Sequence, residues 1–124
     1  MQQAALTISA VLLATTMGVH SVIGQRRLIR PLLDEESGVM KHALARFITP
    51  FAWHLTSGIG LVLAAILLAW AWAPDRALAI GLAATGIVFT ASGLIDAIGS
   101  RGKHIGWVPL TLIGLSALAA LFAA

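Results

Sequence analysis

Residues 50–72 read PFAWHLTSGIGLVLAAILLAWAW, and no side chain between Phe51 and Trp72 carries a formal charge. About 20 predominantly apolar residues are enough to carry an α-helix across the hydrocarbon core of a bilayer. Leucine and alanine dominate the stretch and no two-residue alternation is present, so the pattern favours a helix over a strand. Residues 50–72 therefore predict a membrane-spanning helix.

Three further apolar stretches share the length and composition of this one. They cover residues 4–24, 77–98 and 105–122. In lipid a helix satisfies its own backbone hydrogen bonds, so the four stretches together predict an all-α, integral membrane four-helix bundle. Residues 1–124 then form a single membrane domain.

The overall composition agrees with a membrane protein. Of the 124 residues, 59% are hydrophobic and 10% are charged, whereas a soluble domain carries about 25% charged residues. These values exclude a cytosolic globular domain and a disordered tail. The chain has no cysteine, which excludes disulfides, iron–sulfur clusters, covalently attached haem and cysteine-type zinc sites. Its basic residues stand in short segments between apolar stretches, so they do not indicate nucleic-acid binding.

The basic residues also predict the orientation in the membrane. Seven of the eight lie in the first and third loops, and Arg76 alone lies on the opposite side. Because cytoplasmic loops carry the excess of lysine and arginine, loop 25–49 is predicted to be cytoplasmic and both termini periplasmic, in a bacterial cytoplasmic (inner) membrane. No basic residue precedes the first stretch, so a cleaved secretory signal is not expected. The seven residues are Arg26, Arg27, Arg30, Lys41, Arg46, Arg101 and Lys103.

Loop 25–49 contains signals for breaks and for a further helix. Pro31 and Ser37-Gly38 are expected to interrupt it, and the acidic residues 34–36 are interpreted as a solvated turn. Apolar residues recur at helical spacing over residues 39–47. This segment is either a short amphipathic helix in the membrane interface or an N-terminal extension of the second span. Residues 73–76 predict a tight turn.

Two parts of the chain resemble each other. Residues 15–26 align with residues 90–101 without gaps, matching a threonine, two glycines, an isoleucine and an arginine, and residues 59–61 match residues 113–115. A duplication would make the chain a tandem repeat of two transmembrane hairpins, related by an axis normal to the membrane. The alternative is chance similarity between helices rich in glycine and isoleucine.

Each predicted span contributes one ionisable side chain near the cytoplasmic boundary. Such groups are costly in a membrane and tend to face the bundle interior or water. Three imidazoles and a carboxylate are suitable ligands for a transition metal, and two imidazoles on different helices can ligate a haem. The same groups can hydrogen-bond a quinone or relay protons; alternatively, they lock the bundle or lie in the interface. The four residues are His20, His54, Asp96 and His104.

The leading functional hypothesis is a metal, haem or quinone site formed by these four residues, with a redox or metal-handling role. The first alternative is a non-catalytic membrane subunit or assembly factor of a larger complex. Small residues such as Gly93 and Ala97 would permit close helix contact, either within the bundle or in a homo-oligomer. The second alternative is a small transporter that couples to protons through Asp96. No residue is assigned a catalytic role, and His42 is interpreted as a solvated side chain.

Short strings near the cytoplasmic side carry a resemblance to known proteins. They are WHLTS at residues 53–57, GVHS at residues 18–21 followed by Gly24, and RGKH at residues 101–104 followed by Trp107. Through these strings the chain resembles a group of small four-span proteins of the bacterial inner membrane. The resemblance covers nearly the whole chain. The resemblance implies that His20, His54 and His104 belong to one pattern, and it implies no activity. The HRxTG-like string of succinate dehydrogenase haem-anchor subunits is not matched.

Overall fold

A computed structural model describes residues 1–35 and 37–123 of the chain. Within these ranges the chain forms four long helices and no strand, which confirms the all-α prediction. Short 3₁₀ turns cover Gly38–Lys41 and Pro74–Arg76, and the second of them is the predicted tight turn. The long helices are α1 (Gln2–Asp34), α2 (Ala43–Trp72), α3 (Ala77–Gly99) and α4 (Trp107–Ala123).

Helix α1 ends at Asp34, ten residues beyond the end of the predicted span of residues 4–24. It changes to π-helical turns over His20–Ile29 and returns to α-helix over Arg30–Asp34. The backbone N–H of Arg30 donates to the carbonyl of Gln25, five residues earlier. Pro31 lies in the first turn of the last α-helical segment, where a missing N–H costs little. The predicted break at Pro31 is therefore wrong, and Glu36 of the predicted acidic turn lies outside the described residues.

Helix α2 begins at Ala43 and runs without interruption to Trp72. Of the two interpretations of residues 39–47, the N-terminal extension of the second span is confirmed for residues 43–47 only, because residues 39–41 lie in the separate 3₁₀ turn. Pro50 lies inside the helix and removes one intrahelical hydrogen bond. Before the helix, the 3₁₀ turn buries Met40, which fixes the end of the loop against the bundle.

The helices pack against one another in chain order. Helix α1 packs against α2, α2 against α3, and α3 against α4, and α1 and α4 share no comparable contact in the described ranges. At one end of the molecule the indole N–H of Trp72 donates to Thr7 Oγ1 at 3.0 Å, so the end of α2 lies beside the start of α1. The result is an open bundle with α1 and α4 at its edges.

Most of the apolar surface of the helices faces outward. Segments Gln2–Asp34, Ala43–Trp72 and Pro74–Gly99 are long and apolar enough to cross a membrane. Only 6% of the most apolar part of α1 is buried, against 28% for the more central α2. Helix α4 is also apolar but has 17 residues, because it begins at Trp107 rather than at residue 105 as predicted.

Helices α3 and α4 approach each other closely through glycines. A Cβ atom at Gly93 would lie 2.7 Å from the backbone nitrogen of Thr111, and one at Gly114 would lie 2.9 Å from the Cα atom of Thr90. Both distances are shorter than side-chain carbon atoms tolerate, so glycine is required for this crossing. Gly93 of the predicted small-residue pair therefore packs within the chain.

Candidate functional site

The four predicted site residues lie at the end of the bundle opposite to the contact between Trp72 and Thr7. His20 is in α1, His54 is in the N-terminal half of α2, Asp96 is near the end of α3, and His104 precedes α4. They are held in three separate sets of contacts.

The first set joins the end of α3 to the following loop. Asp96 is fully buried, with an exposed fraction of 0%, and its Oδ2 atom lies 2.6 Å from Nδ1 of His104. The His104 side chain is 34% exposed. Its backbone N–H donates to the hydroxyl of the buried Ser100 at 3.3 Å. The imidazole therefore lies between a buried carboxyl group and the outside of the bundle.

The carboxyl group of Asp96 is only half satisfied. Its second oxygen, Oδ1, is buried and has no hydrogen-bond partner in the described part of the chain. A buried polar atom without a partner costs about 1–3 kcal/mol, and an ionised one costs more. Gly106 leaves room for the pair, because a Cβ atom there would lie 2.8 Å from Nδ1 of His104. Incompletely bonded polar groups of this kind call for a structural or functional explanation.

The second set joins α1 to α2. The hydroxyl oxygen of Ser21 lies 2.5 Å from Nδ1 of His54. When the Ser21 hydroxyl donates this hydrogen bond, the neutral imidazole carries its proton on Nε2. His54 is exposed, so Nε2 is then a donor available to a ligand.

The third set fixes His20 against Trp53. Their rings stack with centroids 4.0 Å apart and planes inclined by 11°. The indole N–H of Trp53 also donates to the backbone carbonyl of His20 at 2.9 Å. Gly24 makes space for the indole, since a Cβ atom there would lie within 3.0 Å of three indole atoms. Nε2 of His20 is buried without a partner in the described residues.

A cleft of about 420 Å³ opens between α2 and α3 beside His54. We refer to it as the His54 cleft. The rings of Phe47 and Phe51 stack in it with centroids 5.7 Å apart, and Ser92 of α3 contributes a hydroxyl group. A mostly apolar cleft with few polar groups is the usual form of a small-molecule site. Its lining residues are Phe47, Pro50, Phe51, His54, Leu55, Gly58, Ser92 and Ile95.

The structure does not bring the four predicted ligands into one metal-binding shell. In residues 1–35 and 37–123, no three His, Asp or Glu side chains form a group that could hold a metal ion. The physical reason is that each group is held by a different partner. Asp96 pairs with His104, whereas His54 pairs with Ser21 and His20 stacks on Trp53. A haem or a quinone as the ligand stays a prediction.

His42 lies apart from these contacts, immediately before α2, and its side chain is exposed. This agrees with its interpretation as a solvated residue. It therefore serves as a matched control for substitutions of the other histidines.

Comparison with known proteins does not assign the chain to a family. No protein-family model, curated protein or solved structure matches the chain. The resemblance to small four-span inner-membrane proteins stays a prediction, and the function must be argued from the site itself.

Two residues at the site were not predicted to take part in it. Ser21 holds His54, and Trp53 holds His20. One signal for the first was available, because the alignment of residues 15–26 with residues 90–101 places Ser21 opposite Asp96. Ser21 and Asp96 each bind Nδ1 of a histidine that follows in the chain.

Proposed function

We propose that the protein is a multi-pass protein of the bacterial cytoplasmic membrane that binds a quinone head group in the His54 cleft. Membrane location is supported by three helices that are long and apolar enough to span, with their apolar side chains turned outward. The orientation is supported by the distribution of basic residues, seven of which lie at the end that holds His54. By the positive-inside rule this end is cytoplasmic and both termini are periplasmic.

The observation that carries the quinone proposal is the combination of groups in the His54 cleft. A quinone head is a flat ring with two carbonyl oxygens that accept hydrogen bonds. His54 and Ser92 line the cleft, and His54 can donate from Nε2 when the Ser21 hydroxyl donates to its Nδ1. The hydroxyl of Ser92 can donate as well, and Phe47 and Phe51 offer aromatic surface to the ring. Quinones are soluble in lipid, and the apolar lining suits a ligand that enters from the bilayer. The proposed role is to hold a redox carrier near the cytoplasmic face.

We favour a quinone over a metal for a geometric reason. Transition-metal sites take about four ligands in proteins, and the described residues do not offer three in one group. A quinone needs only one or two hydrogen bonds and an apolar surface. The His54 cleft meets both requirements with residues from two helices.

The first test is quinone binding by the purified protein in mild detergent. Quenching of tryptophan fluorescence by a short-chain ubiquinone or menaquinone analogue is expected to saturate. His54→Ala removes a hydrogen bond of about 1–1.5 kcal/mol and is expected to weaken binding about tenfold. Ser92→Ala is expected to weaken it less, and His42→Ala, which leaves the cleft intact, is expected to bind as the wild type does.

Two results would contradict the proposal. One is quenching that does not saturate, or that is identical in the wild type and in His54→Ala. The other is a haem absorption band or near-stoichiometric metal in the wild type that His20→Ala, His54→Ala and His104→Ala remove. The second result would restore the metal or haem hypothesis.

A further inference from the structure

A second pocket, more polar than the His54 cleft, adjoins that cleft, because His54 lines both. This pocket lies between α1 and α2 and has a volume of about 380 Å³. We refer to it as the arginine pocket. It is lined by Ser21, Val22, Gln25, Arg26, Arg30 and His54.

Within residues 1–35 and 37–123, no acidic side chain compensates the charge of the arginine pocket. Arg26 and Arg30 both line it, and no acidic side chain of these ranges does. Neither arginine forms an ion pair with an acidic residue in the described ranges. Two guanidinium groups in one concave site favour an anion with several oxygen atoms.

Phosphate oxygens fit these groups best. Arginine presents a planar set of donors that binds phosphate in a bidentate manner. Basic pockets between membrane helices on the cytoplasmic side are typical sites for anionic lipid head groups. The arginine pocket has this position under the proposed orientation.

The neighbouring surface distinguishes a lipid from a free phosphate ion. Val22 lines the pocket and is 54% exposed. One turn deeper along α1, Val19 is also exposed, and Ile23 extends the same apolar surface. A phosphate held by Arg26 and Arg30 would leave an attached acyl chain lying along this surface.

We propose that the arginine pocket binds the phosphate of an anionic phospholipid. The proposal rests on the proposed membrane location and not on quinone binding. A test of location that is separate from lipid binding is fractionation. The protein is expected to stay with membranes washed in carbonate, and its release would remove both proposals together.

The decisive experiment compares lipid binding by two double variants with equal loss of charge. Arg26→Gln with Arg30→Gln removes both guanidinium groups of the pocket. Arg27→Gln with Arg76→Gln removes two exposed arginines that do not line it. Binding of phosphatidylglycerol, phosphatidylcholine and inorganic phosphate is measured by native mass spectrometry in mild detergent, with helix content checked by circular dichroism.

We expect the wild type to bind phosphatidylglycerol and not phosphatidylcholine. The pocket variant is expected to lose about 30-fold in affinity for phosphatidylglycerol, and the control variant less than about threefold. Equal loss in both variants would overturn the proposal in favour of general charge attraction. Equal binding of the two lipids, or displacement of phosphatidylglycerol by inorganic phosphate at the same concentration, would also overturn it.

A measurement on the wild type alone keeps the test valid if the pocket variant does not fold. Phospholipid that copurifies with the protein is extracted and compared with the membranes from which it came. Enrichment of phosphatidylglycerol or cardiolipin is expected. A composition equal to that of the membranes would overturn the proposal.

Discussion

Replacing His104 by alanine is expected to lower the free energy of unfolding by about 3 kcal/mol. The substitution leaves the fully buried carboxyl group of Asp96 without the partner that lies 2.6 Å away. Breaking a buried pair by removing one member typically costs about 3–5 kcal/mol. The lower end of this range applies because His104 is itself 34% exposed. The measurement is reversible unfolding in mixed detergent micelles, followed by circular dichroism.

The control is a double variant that combines His104→Ala with Asp96→Asn. A neutral amide is less costly to bury than an unpaired carboxylate, so the double variant is expected to be more stable than His104→Ala alone. His42→Ala removes an exposed imidazole and is expected to change the free energy of unfolding by less than about 0.5 kcal/mol. Equal stability of His104→Ala and the wild type would show that the pair does not hold the end of α3.

The fold could be predicted from hydropathy to the level of four helices in order. The apolar stretches are long and the charged residues lie between them, so the number and type of the elements follow from burial and backbone hydrogen bonding. The ends of the helices could not be predicted in the same way. Helix α1 continues through Pro31 because π-helical turns precede it, and no residue pattern before Pro31 indicates such turns.

The sequence predicted at which end of the bundle the site residues lie. It did not predict which side of its helix each residue faces. The positions of His20, His54, Asp96 and His104 relative to the charged loops place them near one end of the bundle, as the structure shows. Which side of its helix each residue faces depends on how the helices rotate and cross. That rotation separates the residues, since Asp96 meets His104 whereas His54 meets Ser21.

The tandem repeat of two transmembrane hairpins stays a prediction. Ser21 and Asp96 occupy equivalent positions in the gapless alignment of residues 15–26 with residues 90–101. Each binds Nδ1 of a histidine that follows it, and the hairpins α1–α2 and α3–α4 both bring these residues to the same end. The histidines themselves do not align, because His54 lies inside α2 whereas His104 precedes α4. Duplication and chance similarity between helices rich in glycine and isoleucine are both consistent with this arrangement.

Gly93→Ala is expected to lower the free energy of unfolding by about 2–3 kcal/mol. The new Cβ atom would lie 2.7 Å from the backbone nitrogen of Thr111, so α3 and α4 would have to move apart. Added volume in a packed interface typically costs about 1–3 kcal/mol. The upper part of this range applies because the Cβ atom would contact backbone atoms of Thr111 as well as its hydroxyl group, and no rotamer change moves the backbone. Reversible unfolding in mixed detergent micelles measures this change in the free energy of unfolding.

Gly18→Ala is the matched control, since Gly18 lies opposite Gly93 in the alignment of residues 15–26 with residues 90–101. No atom lies within 4 Å of the position that its Cβ would occupy. Alanine in a helix interior is favoured over glycine by up to about 1 kcal/mol, so this variant is expected to be as stable as the wild type or slightly more stable. If Gly93→Ala behaved like Gly18→Ala, the close crossing of α3 and α4 would not contribute to stability.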